Sequence, residues 1–526
     1  MNNPLTLLRT RLSLLLGLCL VFVALSDTLL YRQPLGINLP LAAGALLLLL
    51  SIRLFRRLRS LPQQAVFLAI IGLLAAQAGR TSLLAAILTG LGLITLVLGV
   101  RHGWTVDIED WVRRGRRFLT SAPAQPFRDR SLVNRWRKRH PRFIEITQLM
   151  VIRFLLPLVL GALFVGLFAA ANPVLANWLT DGFTALWDFL CRLITLPPVS
   201  RLLLWLALLF LAWALCRTHG HQRSLRRRTL PPPLRPIAST PPPIPSLQAN
   251  PPPIPEPLLT SRLLINCLLL FNVLFAVQNL LDSRYLWGGA ALPQGLTWAQ
   301  YAHRGAYPLI VTALLAAVFI LWAFHPTCRA GDTATPRRLL VLWVAQNIFL
   351  AVSAVWRLNL YVQIYSLTLW RVAAGIWMFL VMTGLIWILW RILRNRGNAW
   401  LINANVYTLV TVLYLCCFVD WAGLISAYNI QHCRETGGGG QELDAVYLQS
   451  LGTGALPALS ELRRREGPQG SAALRLKVEK TIKALETQLR EETRNWRGWT
   501  RQRQHTLDAL RVTAAVVASQ TNGGRS

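Results

Sequence analysis

Long uninterrupted apolar runs constrain this chain more than any other feature. "LLAAILTGLGLITLVLGV" (83–100) and "LLLWLALLFLAWALC" (202–216) are two of several. A helix needs about 20 apolar residues to cross a bilayer, with a range of about 17–25. Lipid offers no partner to a backbone amide, so such runs must satisfy their own hydrogen bonds as helices. The fold class expected is therefore all-α: a polytopic transmembrane helical bundle with a small helical extramembrane domain at the C-terminus. About eleven spans are expected, near 11–30, 35–52, 64–79, 82–100, 146–171, 200–216, 259–281, 306–324, 338–356, 367–390 and 400–421. The first resembles a secretory signal, but a second apolar run follows at once without a clean cleavage site. It reads as a retained span.

The formal net charge of +33 would point to nucleic acid in a soluble protein. Here the basic residues collect in alternate loops instead. "RLFRRLR" (53–59), "RRGRR" (113–117), "RWRKRH" (135–140), "RSLRRR" (223–228) and "RILRNR" (391–396) fall on one side. The other side carries little more than Arg32, Arg80, Arg192, Arg284, Arg304 and Arg357. The positive-inside rule then places the N-terminus in the cytoplasm and the tail in the periplasm of a bacterial inner membrane. Membrane lipids are the expected partners, and nucleic acid is not.

Four regions follow. Residues 1–216 form an N-terminal membrane region of about six spans. Its cytoplasmic loop 101–142 carries twelve Arg or Lys against four acids, with tryptophans suited to anionic headgroups. Residues 217–258 form a basic linker, in which 231–257 holds thirteen prolines in 27 residues. Proline fixes φ and lacks an amide proton, so this is a semi-rigid polyproline spacer. The stretch 174–197 reads as an interfacial helix. Residues 259–427 form a five-span module. Residues 428–526 form a soluble helical tail, loosely packed or resting on the membrane. In it Val478, Ile482, Leu485 and Leu489 share one helix face, and two short helices split near Gly452–Gly454.

Polar groups concentrate in the second half. Asn272, Gln278, Asn279 and Asp282 lie in the seventh span, Gln346, Asn347 and Arg357 in the ninth, and Asn403, Tyr407 and Asp420 in the eleventh. Such groups are costly in lipid and should face the bundle. They act either as interhelical glue or as the lining of a polar pathway. Asp282, Arg284, His303, Arg304, Arg357, Arg371, Asp420 and Asn429 fall near the poorly basic face. Two of these arginines can pair with Asp282 and Asp420. The rest, with a planar fork suited to phosphate or carboxylate, either form an anion or lipid-phosphate site or simply contact outer-leaflet headgroups. The candidate ligand-binding set is Arg357, Arg371, Tyr365, Arg304, His303, Asp282 and Asp420. The alternatives are an enzyme acting on a lipid-linked substrate and an envelope sensor or scaffold.

No catalytic constellation stands out: no Gly-rich phosphate loop, HExxH or GxSxG is present. The eight cysteines are scattered without CxxC, and His219 with His221 is too few ligands for a metal, so no metal or cofactor is expected.

Four motifs occur in order: "LDSRYLWGGAALPQG" (281–295), "YAHRGAYPLI" (301–310), "LYVQIYSLTLWR" (360–371) and "AYNI" (427–430), with "LDAVYLQSLGTGALPAL" (443–457) beyond them. Over roughly 260–465 the chain resembles the bacterial membrane family known as domain of unknown function 4173, or its close relative 4153. The first six spans and the linker lie outside this resemblance, which implies fold and location but no activity. Leu360, Tyr361, Val362, Tyr365, Leu367, Thr368 and Arg371 match the family pattern. Ser366 stands where glycine is usual, which counts against a turn needing positive φ there. The stretch from Trp356 to Arg371 is expected to be a tight connection between spans nine and ten.

Overall fold

The computed structural model describes residues 4–54, 60–122, 197–217, 261–288, 334–466 and 472–511, with scattered positions at 157–184, 311 and 315. Within these the chain is helical and has no strand. The elements are α1 (Pro4–Leu30), α2 (Asn38–Leu54), α3 (Leu61–Gly79), α4 (Leu83–His102), α5 (Ile108–Ser121), α6 (Val199–Cys216) and α7 (Ser261–Asp282). A π-helical turn, Ser283–Trp287, ends α7. Then come α8 (Ala334–Tyr365), α9 (Leu369–Arg394), α10 (Asn398–Cys416), α11 (Trp421–His432), α12 (Ala445–Ser450), α13 (Leu456–Glu466) and α14 (Ala472–Thr493), with a final helical stretch at 501–511.

Among the described residues seven helices are long and apolar enough to cross a membrane, and two shorter apolar helices cover Leu14–Leu30 and Asn38–Ile52. The protein is membrane-embedded. These helices coincide with nine of the expected spans. The expected spans 146–171 and 306–324, the interfacial stretch 174–197 and the linker fall largely or wholly outside the described residues. One boundary differs markedly. The ninth span was expected to end at 356, but α8 runs on to Tyr365 over 32 residues. Only 366–368 remain as connection, so most of the Trp356–Arg371 stretch is helix.

The chain divides into two compact units. One comprises Met1–Arg32, Ala45–Arg57 and Val112–His219, the other Gln33–Gly44, Leu58–Trp111 and Gly220–Ser526. In the first, α1 packs on α6. Arg201 grips Asp27 through its Nε and Nη2 at 2.5–3.1 Å and lies over the Tyr31 and Trp205 rings.

In the second unit α3 and α4 form a helical hairpin. Its turn is set by Ser82, whose hydroxyl accepts the Ala85 amide at 3.3 Å and caps α4. Two amides stitch the hairpin: Gln77 Nε2 donates to Thr89 Oγ1 at 2.7 Å and Gln63 Nε2 to the Gly99 carbonyl at 3.1 Å. The apolar core of α7–α10 is built from Leu264 and Leu268 of α7, Leu340, Trp343 and Val344 of α8, Leu385, Ile388 and Ile392 of α9, and Leu401 of α10. Phe271 stacks on Trp343 at 5.2 Å.

The tail has a real core, contrary to the expectation of loose packing. Val478, Ile482, Leu485 and Leu489 of α14 are all buried, together with Leu456, Leu459 and Leu462 of α13 and Ile430 and Cys433 at the end of α11. The spacing i, i+4, i+7, i+11 puts the four α14 residues on one stripe, and that stripe is the one covered. The expected break is present as a 3-10 turn, Gly452–Ala455, between α12 and α13.

Candidate functional site

The sequence-predicted polar residues fall into three arrangements. The first lies within the α7–α8 pair. Arg357 is 3 % exposed and Asp282 0 %. The Arg357 guanidinium forms an ion pair with the Asp282 carboxylate, which also accepts from Gln278 Nε2 at 3.1 Å. The Trp287 indole in the π-helical turn donates to Ser353 Oγ at 3.1 Å and stacks on Trp356 at 5.6 Å. Arg357 therefore holds a carboxylate of its own chain. Beside this pair Gln346 Nε2 donates to Asn272 Oδ1 at 3.2 Å and Asn279 Nδ2 donates to the Gln346 carbonyl at 3.2 Å. Those amides join one helix to the next, as the glue reading expects.

The second arrangement is the turn between α8 and α9. Arg371 Nη1 donates to the carbonyls of Tyr365, at 2.5 Å, and Ser366. Its guanidinium lies 4.7 Å from the Tyr361 ring centroid. It thus caps the last carbonyls of α8, where a cation suits the helix dipole. Ser366 sits at φ +70°, in the left-handed region, so the expectation drawn from its missing glycine is overturned. The surrounding bonds explain why a serine is held there. Asn429 of α11 clamps Leu367, its Oδ1 accepting the Leu367 amide at 2.6 Å and its Nδ2 donating to the Leu367 carbonyl at 2.9 Å. Tyr447 of α12 accepts the Leu369 amide at 2.8 Å, and Thr368 Oγ1 accepts from the Arg371 amide at 3.3 Å. Three separated motifs (360–371, 427–430 and 443–457) thus converge on one turn.

The third arrangement surrounds Asp420. Its cation is Arg80, at 3.5 Å, and not one of the arginines near Asp282. The reason is steric: Gly72 of α3 leaves room for Tyr414 of α10, where any Cβ would overlap the tyrosine hydroxyl. That close approach brings the α3–α4 turn to the α10–α11 junction. Asp420 also caps α11 through the Gly423 amide at 3.3 Å and accepts from Gln502 Nε2 at 2.8 Å. His303 and Arg304 lie outside the described residues.

A cavity of about 310 Å³ opens beside Asp420. The α3–α4 turn, the α10–α11 junction and the tail form its walls. Its charges come in compensated pairs: Arg80 with Asp420, and Arg503 with Glu492 at 2.9 Å. Gln488, Gln502 and Thr453 add donors and acceptors. Burial pushes the Cys417 thiol up, so this lining cysteine is a poor nucleophile. Among the described residues no group of three His, Cys, Asp or Glu is placed to hold a metal. Reasoning from sequence missed Arg503, Glu492 and the cavity itself. The one available signal was Arg80, a lone arginine on the poorly basic side.

The tail is bound down by the loop at 33–37. The Ile37 amide donates to the Trp499 carbonyl at 2.8 Å, Asn495 Nδ2 donates to Gln33 Oε1 at 2.8 Å, and Arg503 Nη1 reaches the Leu35 carbonyl at 2.8 Å. Gly36 and Gly498 lie so close that a Cβ on Gly36 would overlap the Gly498 backbone.

No curated protein and no solved structure matches the chain. A family model described as a domain of unknown function, DUF4153, matches residues 42–462. The matching model is thus that of the relative, and not the 4173 family named first from the motifs. It also reaches much further toward the N-terminus than the motif-bearing region, taking in most of the first six spans and the linker. The chain belongs to the DUF4153 family.

Proposed function

We propose that this is a multipass bacterial inner-membrane protein that binds a small zwitterionic ligand, free or as a lipid headgroup, in the cavity beside Asp420 at the outer face. The carrying observation is that cavity: about 310 Å³, walled by bundle and tail together, with two acids and two arginines in its lining. Pockets for small molecules start near 300 Å³. A lining of balanced charge favours a ligand bearing both signs over a simple anion, because either sign of ligand charge meets an opposite group. Arg357 and Arg371 serve the fold in this reading. Helix-to-helix pairing of Asn272, Asn279 and Gln346 favours binding over conduction through α7 and α8.

The assignment of sides rests on loop charge and is supported by loop meetings. Residues 33–37, 80–82 and 366–369, all assigned outside, each touch the tail or the α10–α11 junction. The Val106 and Asp107 region, assigned inside, meets Asn403 and Tyr407 near the start of α10.

Two experiments test the reading. Full-length protein in nanodiscs, analysed by native mass spectrometry, should retain a small zwitterionic species that Arg80→Gln loses. An identical bound profile in both would remove the cavity reading. A reporter fused after residue 430 should be active outside, and a cytoplasmic result would overturn the orientation.

A further inference from the structure

Arg391, in the last turn of α9, is only 8 % exposed, and its Nε has no hydrogen-bond partner among the described residues. A buried cation costs several kcal/mol unless it is compensated. Within a membrane protein such a charge marks a site whose partner must be sought. The α9 C-terminus does not need it as a cap. The Asn395 and Arg396 amides take the Arg391 carbonyl, and Arg337 of α8 donates to the Ile392 carbonyl at 2.6 Å.

Arg337 is thereby fixed, from a second helix, at the carbonyl of Ile392, the residue after Arg391. Arg338, Arg394 and Arg396 add three more positive charges at this end of α8 and α9. Among the described residues no carboxylate pairs with any of the five. Arg394 lies over the half-exposed Trp390 ring at 4.9 Å, and Trp387 meets Trp400 at 5.9 Å. A tryptophan belt marks the depth of lipid headgroups. Basic pockets between helices at that depth suit anionic phosphates.

We infer that Arg391, with Arg337 and Arg338, forms a phosphate-binding site, on the end of the bundle opposite the tail cavity, whose ligand is an anionic lipid headgroup or free phosphate. The guanidinium fork gives the buried member a bidentate grip on two phosphate oxygens. An unbound Arg391 is destabilising, so the ligand contributes directly to stability.

The test uses the full chain in detergent, stripped of lipid, with Tm read on adding phosphatidylglycerol, phosphatidylcholine or inorganic phosphate. Wild type should rise with phosphatidylglycerol and not with phosphatidylcholine. A response to inorganic phosphate would identify free phosphate as the source. Arg391→Met should raise the lipid-free Tm, since it deletes an uncompensated charge. It should also need at least tenfold more ligand for the half-maximal rise. Arg391→Lys should fold and show an intermediate loss, because a point charge replaces the fork. An unchanged ligand response in both variants would overturn the site, as would a lower lipid-free Tm for Arg391→Met.

Discussion

At the scale of single residues, two positions carry more than their type predicts. Ser366 holds a left-handed backbone that costs an L-residue roughly 1–2 kcal/mol, part of which a glycine would lose again to chain entropy. Ser366→Gly should therefore stabilise by about 0.5–1 kcal/mol, read as a raised Tm. Asp282 and Arg357 make the opposite case. Removing one partner of a buried pair leaves a bare charge, so Asp282→Asn should cost about 3–5 kcal/mol. Replacing both partners with leucine and methionine should restore much of that loss, as measured by Tm. The pairing was partly legible, because Asp282 and Arg357 are scarce charges at the same expected depth. The partner of Asp420 was not, since Arg80 lies far off in sequence and at the end of α3, which packs closely on α10 where Tyr414 meets Gly72.

At the scale of elements, helix positions were legible because lipid forces a long apolar run into one conformation. The end of α8 was not. "WRLNLYVQIY" loses apolar character before it loses helicity, so hydropathy stops at 356 while hydrogen bonding continues to 365. The α8–α9 turn depends on partners from two later helices. Asn429→Ala strands the Leu367 amide and carbonyl and should cost about 1–3 kcal/mol, with faster hydrogen exchange confined to that turn and its neighbours. On α13, Arg464 and then Arg465 hold the Glu461 carboxyl down to about 2. A depressed acid stabilises above its unfolded value and loses that contribution as pH falls through about 2. Wild type and Glu461→Gln should thus differ near neutral pH and converge in acid, followed by the stability of the tail helices.

At the scale of the whole molecule, the tail completes what apolar patterning leaves open. Its internal stripe was readable in the sequence. Its docking was not, because backbone bonds such as that from Ile37 to Trp499 leave no mark in composition. Gly498→Ala would push a Cβ into the Glu492 carbonyl and against Pro34. The variant should keep its membrane helices yet release the tail, seen as proteolysis after the α11 region with unchanged helical content. The same docking also imposes a timetable. Gln33 and Asn495 are 462 positions apart, and ribosomes add about 5–20 residues per second. The loop at 33–37 therefore waits on the order of a minute for its partner, open to proteases and chaperones throughout. A chain stopped short of residue 495 would leave Gln33 without this partner.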